Sequence, residues 1–205
     1  MPRGSTGQRV RTRTRLLEAA LNAFAERGFY GASIEYICEQ AGFTRGAFYS
    51  NFPSKDELFF ALFDAHGDQI IARLRAALEE SRKSNDPVAR FVALIDKKDD
   101  EERRWYLIST EFTLYAIRET AAAAPLAEHD ARIRREAVDV INELMAISGR
   151  ELLIDAEIIA RMASAVQEGA AAQAYVEPDH IDAQLMERLL LPAILRTYSR
   201  PRTHD

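Results

Sequence analysis

Between Ser33 and Lys55 the chain collects groups suited to gripping a polyanion and reading its edges: Ser33, Thr44, Arg45, Gly46, Ala47, Tyr49, Ser50, Asn51 and Lys55. Arg45 can turn two parallel N–H donors to a guanine edge or to a phosphate. The hydroxyls of Tyr49 and Ser50 and the amide of Asn51 suit phosphate oxygens and base edges. Lys55 brings a point charge beside the free amides of a helix start, and Ser33 stands at a second such start. Gly46 costs about 0.8–1 kcal/mol relative to Ala inside a helix. Either it lets a backbone approach DNA closely or it packs tightly on the preceding helix, and the spacing leaves both open.

These groups are of use only if short helices hold them out. Ser33 is an N-cap for a helix over 34–40, whose Ile34, Ile37, Cys38 and Ala41 fall on one face. Gly42 stops it, since glycine enters the left-handed region at little cost. Thr44 caps a second helix from Arg45 to about Asn51, with Phe48 and Phe52 inward, and Pro53 ends it. Helix, three-residue turn and polar-faced helix make the helix-turn-helix arrangement, whose second helix meets the major groove with its N-terminal residues.

A first helix is predicted over about 9–27, with Leu17, Ala20, Leu21 and Phe24 inward and Gly28 as its end. Residues 1–8 read as a disordered arm, either a free terminus or a strand for the minor groove. Ser54 caps a long fourth helix over 55–80, placed as the lever between head and body. Further helices are expected over about 87–97, 101–122, 125–147, 155–175 and 181–199. Breaks fall at Asp99/Asp100, Ala124/Pro125, Ser148/Gly149 and Pro178. No stretch alternates with a period of two, so no sheet is expected.

The residues Thr14, Arg15, Ala19, Ala20, Phe24, Gly28, Phe29, Ser33, Ile34, Ile37, Ala41, Gly42, Phe43, Thr44, Arg45, Gly46, Phe48, Tyr49, Phe52, Ser54, Lys55 and Leu58 resemble the N-terminal domain of the TetR/AcrR family of transcriptional regulators. The resemblance covers about a quarter of the chain and is dense and ordered. It implies DNA contacts at Ser33, Arg45, Gly46, Tyr49, Asn51 and Lys55. Ser50 departs from it, standing where many members carry an aromatic residue or histidine. The resemblance also implies an effector bound among the middle helices.

Candidates for that effector site are His66, Trp105, Ile108, Glu111, Phe112 and Tyr115, which describe a pocket or equally a packed core. Glu111, if buried, needs a partner, either Arg118, Arg90 or an effector. His66 reads as a satisfied core histidine or an effector contact. His129, His180 and His204 show no ligand spacing, so no metal and no cofactor are expected. No phosphate-cradling glycine loop and no Ser or Cys nucleophile signature argue for an enzyme.

Net charge is -5 over 205 residues, which would ordinarily oppose a nucleic-acid partner. The distribution reverses that. Residues 1–55 hold eight Arg/Lys against four Glu, a net of +4, leaving -9 on the remainder. A basic head can meet phosphates while an acidic body stays away, which also disfavours a purely architectural DNA binder. The single cysteine, Cys38, reads as a buried core residue and suits a reducing cytoplasm. No apolar run approaches the roughly 20 residues of a membrane span.

Ile159, Met162, Ala163, Val166, Ala170 and Ala174, with Gly169, line a stripe in the penultimate helix, and Leu185, Leu189, Ile194 and Tyr198 one in the last. Both suit a four-helix interface between two copies, or internal packing. The sequence therefore reads as all-α with about nine helices: an arm over 1–8, a helix-turn-helix DNA-binding head over 9–55, and an effector-binding and dimerisation domain over 56–205. The function expected is a homodimeric repressor released from a palindromic operator by a small molecule; activation, or ligand-independent binding, is the alternative.

Overall fold

A computed structural model describes residues 4–95 and 100–202. Among them run nine helices: α1 (Gly4–Gly31), α2 (Ile34–Ala41), α3 (Arg45–Tyr49), α4 (Lys55–Ser81), α5 (Pro87–Ile95), α6 (Asp100–Arg118), α7 (Thr120–Ile147), α8 (Ala156–Val176) and α9 (Ala183–Thr197). The all-α architecture with an N-terminal helix-turn-helix is therefore as the sequence reads. One correction concerns the sheet. Strands β1 (Arg150–Leu152) and β2 (Ser199–Pro201) form a short antiparallel ribbon pairing Glu151 with Arg200. Three residues per strand are too few to show alternation. Arg150 fastens the ribbon by donating from Nε to Ser199 Oγ at 2.8 Å.

The helix ends differ from expectation in two further places. Gly4–Gln8, read as an arm, lie within α1, while residues 1–3 fall outside the described chain. The break expected at Ala124/Pro125 falls instead at Glu119, and α7 runs on through Pro125. Pro125 lies in the second turn of α7, beside alanines of high helix propensity that offset its one missing donor.

Packing forms two compact units, with boundaries at Gly67/Asp68 and Ala127/Glu128. The first gathers α1–α3, the start of α4, and α6; the second holds the rest of α4 with α5, most of α7, α8, α9 and the ribbon. In the first, Leu16, Ala20, Phe24, Ile37, Phe48, Phe52, Leu58, Phe59, Ile108 and Phe112 are buried in one core. Leu16 is fully buried on α1, and Leu17 packs partly buried against the same core. In the second, Leu78, Phe91, Val140, Leu144, Met145, Ile159, Leu191 and Leu195 form the core. There Arg75 joins α4 to α7, donating to Glu136 at 2.9 Å and to Glu143 at 3.1 Å.

The last two helices divide the expected stripes between internal packing and exposure. On α8, Ile159 and Ala170 are buried and Ala163 and Val166 pack against the unit's own core. Ile194 and Tyr198 also pack inward. The large apolar residues left exposed are Ile158 and Val176 on α8 and Leu185, Leu189 and Leu190 on α9. Helical phase explains this: side chains three and four apart share a face, and α8 turns that face to its own core.

Candidate nucleic-acid interface

The reading pair is built by its caps. Ser33 Oγ accepts the Tyr36 N–H at 3.1 Å, and Thr44 Oγ1 accepts the Ala47 N–H at 3.2 Å. Each hydroxyl still has its own proton to donate outward. Gly42 takes a left-handed φ of 70° as the C-cap of α2, and its N–H reaches back to that helix's last turn. Phe48 and Phe52 are fully buried beneath α3, while Cys38 is buried in α2, where burial raises its thiol pKa. With its inner side anchored, α3 leaves Thr44, Arg45, Gly46, Tyr49 and Ser50 exposed and Ala47 half-buried.

Arg45 is poised rather than loose. Its guanidinium lies 2.8 Å from Glu35 of α2, and its centre lies 5.9 Å from the Tyr49 ring. A hydrogen bond with Tyr49, then the Glu35 charge, raises its pKa further. Glu35 is a residue the sequence reading passed over; its place in the first turn of α2 gave only a helix-dipole signal. Gly46 resolves one alternative. A Cβ added there would meet only Thr44 Oγ1, at 3.7 Å, so close packing on the preceding helix does not require glycine.

Two of the sequence candidates turn inward. Lys55 donates from Nζ to the Phe29 carbonyl at 2.7 Å and the Ala32 carbonyl at 3.2 Å, and lies 4.5 Å from the Phe29 ring centre. Asn51 donates to the Ala47 carbonyl at 2.8 Å, with its Oδ1 buried and without a partner. Ser50 Oγ donates to the same carbonyl at 2.8 Å. Ser54 caps α4 by accepting the Glu57 N–H at 3.1 Å, which takes up one amide of that helix start.

The candidate effector residues come together in the first unit, as packed rings. His66 stacks on Trp105 with ring centres 3.9 Å apart, and Trp105 meets Phe63 at 4.5 Å. Phe112 lies 4.6 Å from Phe59 and 5.9 Å from Tyr115, and Ile108 is buried beside them. Nearby in sequence, Arg104 Nε is buried without a hydrogen-bond partner. Glu111 bonds to neither arginine proposed for it: its Oε1 accepts the Phe29 N–H at 3.1 Å. That pairing spans 82 positions, so no local signal announces it. A separate open groove of about 680 Å³ lies at the α8–α9 turn, lined by Ala171, Tyr175, His180, Ile181 and Gln184.

Comparison with known proteins decides the family. Residues 16–62 match the model for bacterial regulatory proteins of the tetR family, and residues 71–198 match the BetI-type transcriptional repressor C-terminal model. The chain belongs to the TetR family of transcriptional regulators. Among its relatives is the transcriptional activator FasR of Mycolicibacterium smegmatis, 33% identical over 94 residues, which are 46% of this chain and 42% of that one. The regulator UidR of Escherichia coli is 38% identical over 68 residues, covering 33% of this chain and 35% of its own. These matches span less than half the length of the curated relatives. Among solved structures, SmeT, the repressor of the Stenotrophomonas maltophilia efflux pump SmeDEF, shares the fold with a TM-score of 0.63 at 26% identity, covering 92% of this chain and 90% of that one. This is a family of regulators rather than enzymes, and no described helix of the TetR-family chain is long and apolar enough to cross a membrane.

Proposed function

We propose that this TetR-family DNA-binding regulator works as a homodimeric repressor whose α3 helices occupy successive major-groove half-sites of an operator, in the cytoplasm. The observation that carries the reading is the exposed face of α3: Arg45 braced by Glu35 and Tyr49, beside a Gly46 that nothing in the chain itself requires. Ser33 and Thr44 offer hydroxyl protons to phosphates on either side. The head over 9–55 carries this contact, and 56–205 supplies dimerisation and the effector site. Two copies are needed because half-sites lie about 34–36 Å apart, one helical turn. Leu185 and Leu189 on α9 are exposed and apolar, as a self-complementary interface needs.

The effector is a small molecule that parts the His66–Trp105 stack and engages groups of α6, Arg104 among them. It releases DNA because it binds one arrangement of the helices better than the other. The residue-level test uses fluorescence anisotropy with a duplex from the region upstream of the protein's own gene, against a scrambled duplex. Arg45→Ala should weaken specific binding on the order of tenfold to a hundredfold and narrow the gap between the two duplexes. Equal affinity and equal preference in both proteins would remove Arg45 from the reading set. Activation is a second reading, favoured by the relative FasR being named an activator; a reporter that falls when the gene is deleted would select it.

A further inference from the structure

The elbow joining α1 to the reading pair is held from two sides. At Gly28 the backbone turns with φ of 70° and ψ of 168°, a conformation that side chains disfavour. A Cβ at this position would lie 2.8 Å from Glu111 Oε1 and 2.9 Å from Oε2, so the carboxylate occupies the space that glycine leaves. From there Glu111 accepts the N–H of Phe29. One turn further along α6, Tyr115 meets Tyr30 with ring centres 5.6 Å apart, and a hydrogen bond between them pushes the Tyr30 phenol up to about 12. Lys55 in turn binds the carbonyls of Phe29 and Ala32. The Phe29 ring is boxed by Phe24 at 5.5 Å and Phe59 at 4.9 Å. Ser33 follows at once and caps α2. The direction in which α2 and α3 leave is therefore set at an elbow where α6 binds the Phe29 N–H and the first residue of α4 binds the Phe29 and Ala32 carbonyls.

We propose that Glu111 is a positioning residue for DNA binding: through its hydrogen bond to Phe29, opposite Gly28, α6 fixes the pitch of the α2–α3 pair. This rests on the assignment of α3 to the groove. An unbraced elbow samples other angles, and apparent affinity falls in proportion to the fraction still competent. Glu111→Gln keeps an acceptor oxygen at the same reach; Glu111→Ala removes it and leaves the Phe29 N–H without its partner.

The test measures operator binding by anisotropy for wild type, E111Q and E111A, well below each protein's melting temperature. In parallel, NMR hydrogen exchange reads the Phe29 amide. The expected result is about tenfold weaker binding for E111A, near wild-type binding for E111Q, and fast Phe29 exchange in E111A alone. Wild-type affinity in E111A, or a loss that E111Q shares in full, overturns the proposal. Should wild type itself ignore every duplex, the groove assignment fails instead, and the exchange still decides the brace: slow in wild type and E111Q but fast in E111A upholds it, equal in all three overturns it.

Discussion

Gly46→Ala separates a residue kept for folding from one kept for DNA. The added methyl has room in the protein, since its nearest neighbour is Thr44 Oγ1 at 3.7 Å, an ordinary van der Waals distance. Gly46 is also absent from the glycines with positive φ, so alanine fits the backbone as it stands. Alanine is then the better helix former by up to about 1 kcal/mol, reduced here because the position lies in the first turn. For a chain of this size that corresponds to a rise in melting temperature of up to roughly 2–4 °C. On the DNA side, Gly46 sits between Arg45 and Ala47 on the exposed face, where a methyl must displace the helix from the groove floor. A tenfold loss of operator affinity, about 1.4 kcal/mol, is the expected scale. Circular dichroism melts and anisotropy titrations on the same samples give both numbers. A variant that melts lower than wild type would return Gly46 to a packing role. One that binds the operator unchanged would remove it from the interface.

Lys55→Met should lower stability by about 1.5–3 kcal/mol, because two carbonyls lose a charged donor, yet leave the slope of log affinity against log salt unchanged; a slope smaller by about one would make Lys55 a phosphate contact after all. Introducing charge with Leu185→Glu and Leu189→Glu should shift the protein toward monomer in sedimentation velocity and abolish operator binding at nanomolar protein, with melting little altered; an unchanged dimer would move the interface off this face of α9. Cys38 should resist alkylation at neutral pH, since burial both blocks it and raises its pKa, so its thiolate fraction stays below that of a free thiol until the pH is higher; rapid labelling of the folded protein would contradict the packing of α2.

The reading pair was legible because its signals are local. Ser33, Gly42, Thr44 and Pro53 mark the ends of two short helices within a few residues, and Phe48 and Phe52 declare their buried side by spacing alone. What escaped was set by partners far away in the chain. Lys55 looks like a phosphate ligand until the carbonyls of Phe29 and Ala32 are brought to it. Glu111 looks like half of an ion pair until Gly28 opens a place for it, and Arg45 shows its restraint only when α2 sets Glu35 beside it. The stripe on α8 reads as apolar from its spacing, but periodicity does not say whether a stripe faces a partner or its own core. The ribbon of β1 and β2 rests on three residues per strand and on Arg150, below what alternation can reveal.

The most direct measurement is a salt series of anisotropy titrations of the wild-type protein on the upstream duplex, with footprinting of the bound complex. The expected result is a steep fall in affinity with salt, two protein copies per duplex, and two protected half-sites one helical turn apart. Binding of a single copy, protection without a repeat, or indifference to duplex DNA at low salt would contradict the assignment of α3 to the groove.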